Sequence, residues 1–281
     1  MKAVLEKIHV PEKQSLIAYH YEKPSFETPW HFHPEHELTY IKKSSGIRYV
    51  GNSMAAFEEG DLVLIASQLP HCWKNDEHYQ STSKALVIQW HTQLFHDIPE
   101  LQAIHRLLKL AQRGISFSAV SAALVDKMEE VIEAPPLNKY LLLHEILDEL
   151  ANRTDYQLLA GDSYVYDHSP ETSNRIMKVQ QFVQQHYKQK IMLTDIAHEL
   201  HMSEQSFSRF FSKVMQRSFF IYLNEYRINI ASRMLLETDR QVAEIGFECG
   251  YESLPFFYKQ FKKFKHCSPL VFRKMFSKAQ H

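Results

Sequence analysis

Cysteine and glycine are scarce in this chain. Three cysteines (Cys72, Cys249, Cys267) among 281 residues are too few and too scattered for a disulfide framework or a thiolate metal site. No apolar run approaches the roughly 18 residues that would span a bilayer. The opening MKAVLEKIHVPEKQ lacks the apolar core of a signal peptide, so a cytoplasmic location is expected, with no membrane partner. Net charge is nearly absent as well, at −1. What is present is ordinary for a globular protein: 44% hydrophobic and 23% charged residues, in a length that suggests about two domains.

The neutral total conceals two unlike halves. Residues 1–170 carry 15 Lys/Arg against 23 Asp/Glu, whereas residues 171–281 carry 17 against 10. The basic half is the candidate for a polyanionic partner. All three tryptophans (Trp30, Trp73, Trp90) lie in the first ninety residues. Short β-branched and aromatic runs occur there, at Leu38–Ile41, Ile47–Val50, Leu62–Ile65 and Ala85–Trp90, with turn clusters between them. This pattern predicts an antiparallel barrel or sandwich. Apolar spacing predicts helices over roughly 93–112, 118–132 and 137–159, the last with a broad stripe from Leu141 to Leu150. An aperiodic stretch with a Gly and a Pro places the linker at 161–171, between a first domain of 1–160 and a second of 172–281. The second holds only two glycines, Gly246 and Gly250, and apolar spacings of three and four, so it is expected to be all-α.

That second half repeats itself at a spacing of fifty: Ser203 with Ser253, Phe207 with Phe257, Arg209 with Lys259, Phe211 with Phe261, Lys213 with Lys263, Ser218 with Ser268. Each unit reads as helix, tight turn, helix. Ser203 and Ser253 are suited to cap the second helix of each unit. Phe207, Phe211, Phe257 and Phe261 face inward, and Pro255 sits in a first turn, where its missing N–H costs little.

These residues resemble the DNA-binding domain of the AraC/XylS family of bacterial transcription regulators. The resemblance runs from about 175 to 276, through Leu193–Ala197, Ser203–Phe211, Arg227-Ile228, Val242–Ile245, Gly250–Ser253, Phe257–Lys263 and Phe272-Arg273. It implies two helix-turn-helix subdomains joined by a long helix, here about 218–236, with double-stranded DNA as partner. At three turn positions where the family favours Gly, the chain has His201, Gln216 and His266. Glycine is favoured where the backbone turns left-handed, and His tolerates that better than most residues.

Carried over by position, the base-facing residues of the first recognition helix are Gln205, Ser206, Ser208 and Arg209. Gln can pair with adenine and Arg with guanine through two hydrogen bonds. Those of the second are Leu254, Pro255, Phe256 and Lys259, which offer no bidentate side chain. The first helix is therefore expected to read more bases than the second. Arg217, Lys262, Lys263 and Arg273 are expected to divide between phosphate contact and plain surface charge.

In the acidic half, His31-Phe-His33 with Glu37, then His71-Cys-Trp73 after a hairpin, resemble the two motifs of a cupin, a jelly-roll-like barrel, and the cupin-type sensors attached to AraC-family regulators. His31, His33, Glu37, His71 and Trp73 are the candidate effector pocket, suited to a small polar metabolite such as a sugar. His31, His33, Glu37 and His71 are also a candidate site for a first-row divalent metal, or alternatively hydrogen-bonding walls without one; no cofactor is certain. His36 is expected to turn away to the surface. The expected fold class is thus α+β multidomain, an N-terminal cupin barrel with helices that could form a homodimer interface, followed by the all-α domain. The expected function is a ligand-responsive, sequence-specific regulator and not an enzyme. The alternative is a metal-dependent cupin enzyme with a DNA-binding tether.

Overall fold

The computed structural model describes residues 4–5, 14–75, 79, 81–162, 164 and 170–276. Two compact units emerge, dividing between residues 166 and 167.

The first unit is built on two sheets. One contains β1 (Val4–Leu5), β3 (His31–Phe32), β8 (His71–Asn75), β5 (Gly46–Val50) and β6 (Ser53–Phe57), in that order. The other runs β11 (Tyr156–Leu158), β10 (Ile115–Phe117), β7 (Leu62–Ile65), β4 (His36–Lys43), β9 (Ser83–Trp90) and β2 (Leu16–Lys23). β1 pairs with β3 in parallel, whereas β3 with β8, β8 with β5 and every pair of the second sheet run antiparallel. The expected jelly-roll-like architecture therefore holds. The four runs singled out from the sequence are strands β4, β5, β7 and β9.

Helices α1 (Gln102–Leu110), α2 (Ala122–Glu133) and α3 (Pro136–Ala151) cover one sheet. Their inward positions are Ile104, Leu107, Met128, Val131, Leu143, Ile146, Leu147 and Leu150, which share a core with Leu38, Leu64 and Ile88. All three expected helices are shorter than read, the second beginning at Ala122 rather than near 118. The first begins only after a single 3-10 turn at Pro99–Leu101. The third stops at Ala151, because residues 156–158 form β11 against β10; a three-residue strand is too short to break the apparent helical period. Leu141, placed on the buried stripe, is instead 51% exposed, and the buried residue is Leu143.

The second unit is helical: α4 (Pro170–His186), α5 (Leu193–Glu199), α6 (Glu204–Met215), α7 (Phe219–Glu237), α8 (Val242–Glu248), α9 (Leu254–Lys265) and α10 (Pro269–Phe276). Much of the linker expected at 161–171 (residues 163 and 165–169) lies outside the described residues, and α4 already starts at Pro170. The sequence repeat is a structural one. Ser203 and Ser253 accept the N–H of Ser206 and Phe256 and cap α6 and α9. Phe207 packs on Phe211 at 5.6 Å between ring centroids, and Phe257 on Phe261 at 5.8 Å. His201, Gln216 and His266 take φ of 54, 53 and 59°, the left-handed turns anticipated for them.

The register of the repeat is not uniform. In the first turn Met202 N–H bonds to Ala197 O and His201 N–H to His198 O; in the second, Tyr251 to Gly246 and Gly250 to Phe247. Those pairs are offset by 49 residues, while the serine caps are offset by 50. Glu252 is thus the inserted residue, and Gly250 is the counterpart of His201.

Candidate functional site: a four-residue donor set in the barrel and two exposed helices

Register brings the first motif to the second. His31 on β3 stands opposite His71 on β8, with ring centroids 4.2 Å apart. His33 does not share a strand with His31, since β3 ends at Phe32, yet its ring lies 5.1 Å from that of His71. Glu37 enters from β4 in the other sheet. His31, His33, Glu37 and His71 are all buried, and one ligand atom from each lies within 4.8 Å of the others.

Each imidazole is oriented from behind. Nδ1 of His31 faces Pro29 O at 2.8 Å, that of His71 faces Leu69 O at 2.8 Å, and that of His33 faces Glu35 O at 3.1 Å. A carbonyl only accepts, so these contacts place a proton on Nδ1 and turn Nε2 toward the site, the orientation of a metal-ligating histidine. Nε2 of His33 is 3.1 Å from Glu37 Oε2, and Nε2 of His71 is 3.7 Å from the same oxygen. His71 Nε2 is buried with no hydrogen-bond partner. A carboxylate oxygen only accepts, so a proton on Nε2 or a shared cation satisfies such a contact. Ligand bonds of about 2.1 Å put neighbouring donors about 3 Å apart or slightly more, near the 3.1 and 3.7 Å that separate His33 and His71 from Glu37 Oε2.

Glu37 is held by two further contacts. Thr39 Oγ1 donates to Oε1 at 2.7 Å, and Gln89 Nε2 donates to Oε2 at 2.7 Å. Burial alone would raise its pKa, but His33 and His71 together hold the carboxyl well below the usual range. Burial pushes the His71 imidazole down to about 4, helped by His31 and opposed by Glu37. At neutral pH His71 is therefore a neutral imidazole and Glu37 a carboxylate, with the imidazoles of His31 and His33 beside them. That combination of nitrogen and oxygen donors suits Mn, Fe, Ni or Zn.

His31 and Glu37 open onto a cavity of about 260 Å³, of a size for a small ligand. Trp73 lines it, 6% exposed, with an indole N–H that finds no acceptor among the described residues. Tyr19, Tyr21 and Phe26 complete the aromatic wall. Sequence reasoning missed them because the long-range pairing of β2 with β9 delivers the two tyrosines, and only ordinary strand alternation marks them. His36 is corrected: it is buried, 8% exposed, accepts the N–H of Ser67 at 3.1 Å and packs on Trp90. The β4 strand begins at His36 in the interior of its sheet, with β7 on one side and β9 on the other, so its first residue is enclosed rather than surface-facing.

In the helical unit, Gln205, Ser208 and Arg209 project from α6 as exposed side chains. Ser206 is half-buried, and its hydroxyl accepts from Ser203 Oγ at 2.9 Å. From α9, Pro255, Phe256 and Lys259 are exposed and Leu254 is half-buried; Phe256, at 45% exposure, is no core residue. Two of the basic residues have local employment. Arg217 pairs with Glu225. Arg273 closes the end of α7 by donating to the carbonyls of Leu235, Thr238 and Arg240, as a cation at a helix C-terminus does. Lys262 and Lys263 remain exposed.

Comparison with known proteins gives matches in both units. A helix-turn-helix domain model matches residues 196–275, and a cupin domain model matches residues 19–82. The HTH-type transcriptional regulator YdeC of Bacillus subtilis is 22% identical over 251 residues, covering 88% of this chain and 86% of the relative. YisR of the same organism, also an HTH-type transcriptional regulator, is 25% identical over 264 residues, covering 86% of each. The melibiose operon regulatory protein of Escherichia coli is 29% identical over 94 residues, 34% of this chain and 31% of that protein. Among the described residues no helix is long and apolar enough to cross a membrane.

Proposed function

Because the chain belongs to the AraC/XylS family of transcription regulators and carries a cupin domain ahead of its DNA-binding domain, we propose that it is a metal-loaded sensor of a small polar metabolite, a sugar being one candidate. The observation that carries this reading is the buried donor set of His31, His33, Glu37 and His71, opening on an aromatic-walled cavity. These four residues would hold a divalent ion, which would supply a Lewis-acidic anchor for an oxygen of the effector. Thr39 and Gln89 fix the carboxylate, and the Trp73 indole N–H offers a donor to an effector hydroxyl or carbonyl.

Elemental analysis of the purified full chain should find about one first-row divalent ion per chain. His71→Ala should lower its affinity at least a hundredfold, since even loss of a residue behind a ligand typically costs about 10–100-fold. A chain that takes up no such ion, or a variant that binds it unchanged, would remove the site. Catalysis at the same donor set is the second reading. It is favoured by the completeness of the set alone, and turnover of a metabolite by the loaded protein would establish it.

On the DNA side, α6 would read bases through Gln205 and Arg209, with Ser208 beside them. Leu254, Pro255, Phe256 and Lys259 of α9 would supply apolar contact with thymine methyls and a phosphate contact. No ion pair holds Arg209 among the described residues, which supports a base-reading role over a structural one. Arg209→Ala should weaken operator binding by about 1–3 kcal/mol and relax preference at one position. Unchanged affinity and preference in a binding-site selection would rule the role out.

Dimerisation belongs to the same proposal. Leu137 and Leu141, one turn apart on α3, are 67% and 51% exposed, while the opposite face of the helix packs in its own unit's core. Leu137→Glu with Leu141→Glu should convert a dimer to a monomer in sedimentation velocity. A chain that is monomeric before mutation would contradict this.

A further inference from the structure

The repeat breaks at one core position. In α6 the inward stripe is Phe207, Phe211 and Met215, all buried. The corresponding residues of α9 are Phe257, Phe261 and Lys265. Lysine stands where the first unit has a buried thioether, and it lies at the very end of the helix that follows the second turn.

Lys265 is not stranded. Its Nζ donates to Asn229 Oδ1 at 2.9 Å, and Asn229 is 4% exposed in the middle of α7. One turn earlier on α7 is Glu225, whose carboxylate pairs with Arg217. Arg217 belongs to the turn that leaves α6. Burial lowers the pKa of Lys265 and Glu225 opposes that shift; burial raises that of Glu225, with Arg217 and Lys265 opposing. Cations from the C-terminal ends of both recognition helices therefore meet on one face of the connecting helix, at Glu225 and Asn229.

An apolar contact at 265 would stabilise α9 against α7 at many small displacements. A half-buried lysine bonded to the buried Asn229 tolerates only the displacement at which its partners are in reach, and fixing register is the best-attested use of a buried polar group. We propose that the Arg217–Glu225 and Lys265–Asn229 contacts are a brace that sets the separation of the two recognition helices, and that Lys265 is thereby a positioning residue that makes the protein select DNA by the spacing of its two subsites. This rests on the reading of α6 and α9 as DNA-contacting helices.

The test uses the full chain and a duplex selected by it, alongside duplexes with one base pair added or removed between the two subsites. Wild-type protein should prefer the native spacing by about tenfold or more, since each disrupted position in a site costs about that much. Lys265→Met, which copies the first unit, should bind the native duplex within about threefold of wild type and reduce the spacing preference to about twofold, with a melting temperature within about 4 °C of wild type. Asn229→Asp, which keeps an acceptor for Lys265, should retain the full preference, and a purely structural role for the pair would not separate these two variants. Should Lys265→Met unfold, Asn229→Leu takes its place with the same expectation. Undiminished spacing preference in a folded Lys265→Met or Asn229→Leu protein overturns the brace while leaving DNA reading intact. Failure of wild type to select any duplex overturns the DNA reading and the brace with it.

Discussion

Taking the metal-free protein from pH 7 to pH 4 should cost its first unit about 3 kcal/mol of stability for each of two histidines, His36 and His71. Both are buried, and burial pushes each from the ordinary 6.5 to about 4. Between those values the unfolded chain binds a proton that the folded chain does not, so stability falls as pH falls across that window. Glu37 acts in the same direction further down. Its folded pKa lies well below the usual 4.5, so the stability it contributes is present above 4.5 and is lost as pH falls through its folded value. The tryptophans make the measurement selective, because Trp30, Trp73 and Trp90 are all buried in the first unit and the second contains none. Urea titrations followed by tryptophan fluorescence at pH 7, 5.5 and 4 should show a steadily lower midpoint. A midpoint independent of pH would mean that these imidazoles are not held neutral.

Replacing Gly250 by His should destabilise the second unit by about 4 kcal/mol or more, in the exceptional range for a single substitution. Gly250 and His201 occupy equivalent turns, with φ of 81 and 54°, and His is accepted at the first. The difference lies in what passes behind. A Cβ at 250 would stand 2.2 Å from Tyr187 O and 2.8 Å from an Arg227 guanidinium nitrogen. Arg227 is fixed there, donating to Tyr187 O at 2.8 Å and Gln189 O at 2.6 Å and stacking over the Tyr251 ring. Backbone and buried guanidinium cannot both yield. The reciprocal change, His201→Gly, should alter stability by less than about 1 kcal/mol, because relief of the left-handed strain is offset by a more flexible unfolded chain. Helical circular dichroism during denaturation reports both. Equal tolerance at 201 and 250 would show that the close approach to Tyr187 does not restrict the second turn.

Much of the helical unit was legible because its code is local. Serine caps, phenylalanines four apart and non-glycine residues at left-handed turns each act over a single helical turn, and the repeat displayed them twice. The barrel was legible where a strand was long and apolar, as in β4 and β9. It was less so at β3 and β8, whose identity depends on pairing across forty residues. The donor set itself was visible, as His31, His33, Glu37 and His71, but what brings it together was not: His33 lies beyond β3, and opposition of β3 to β8 joins the two motifs. Tyr19 and Tyr21 of the pocket, the burial of His36 and the meeting of Lys265 with Asn229 all depend on packing between distant segments. No short window of sequence contains that information.

The central claim is that two exposed helices of one unit read one duplex side by side. Selection of sites from random duplexes by the full chain addresses it most directly. Two enriched blocks separated by about one helical turn of DNA, the α6 block more sharply defined than the α9 block, are the predicted result. A single enriched block, or none, would contradict it.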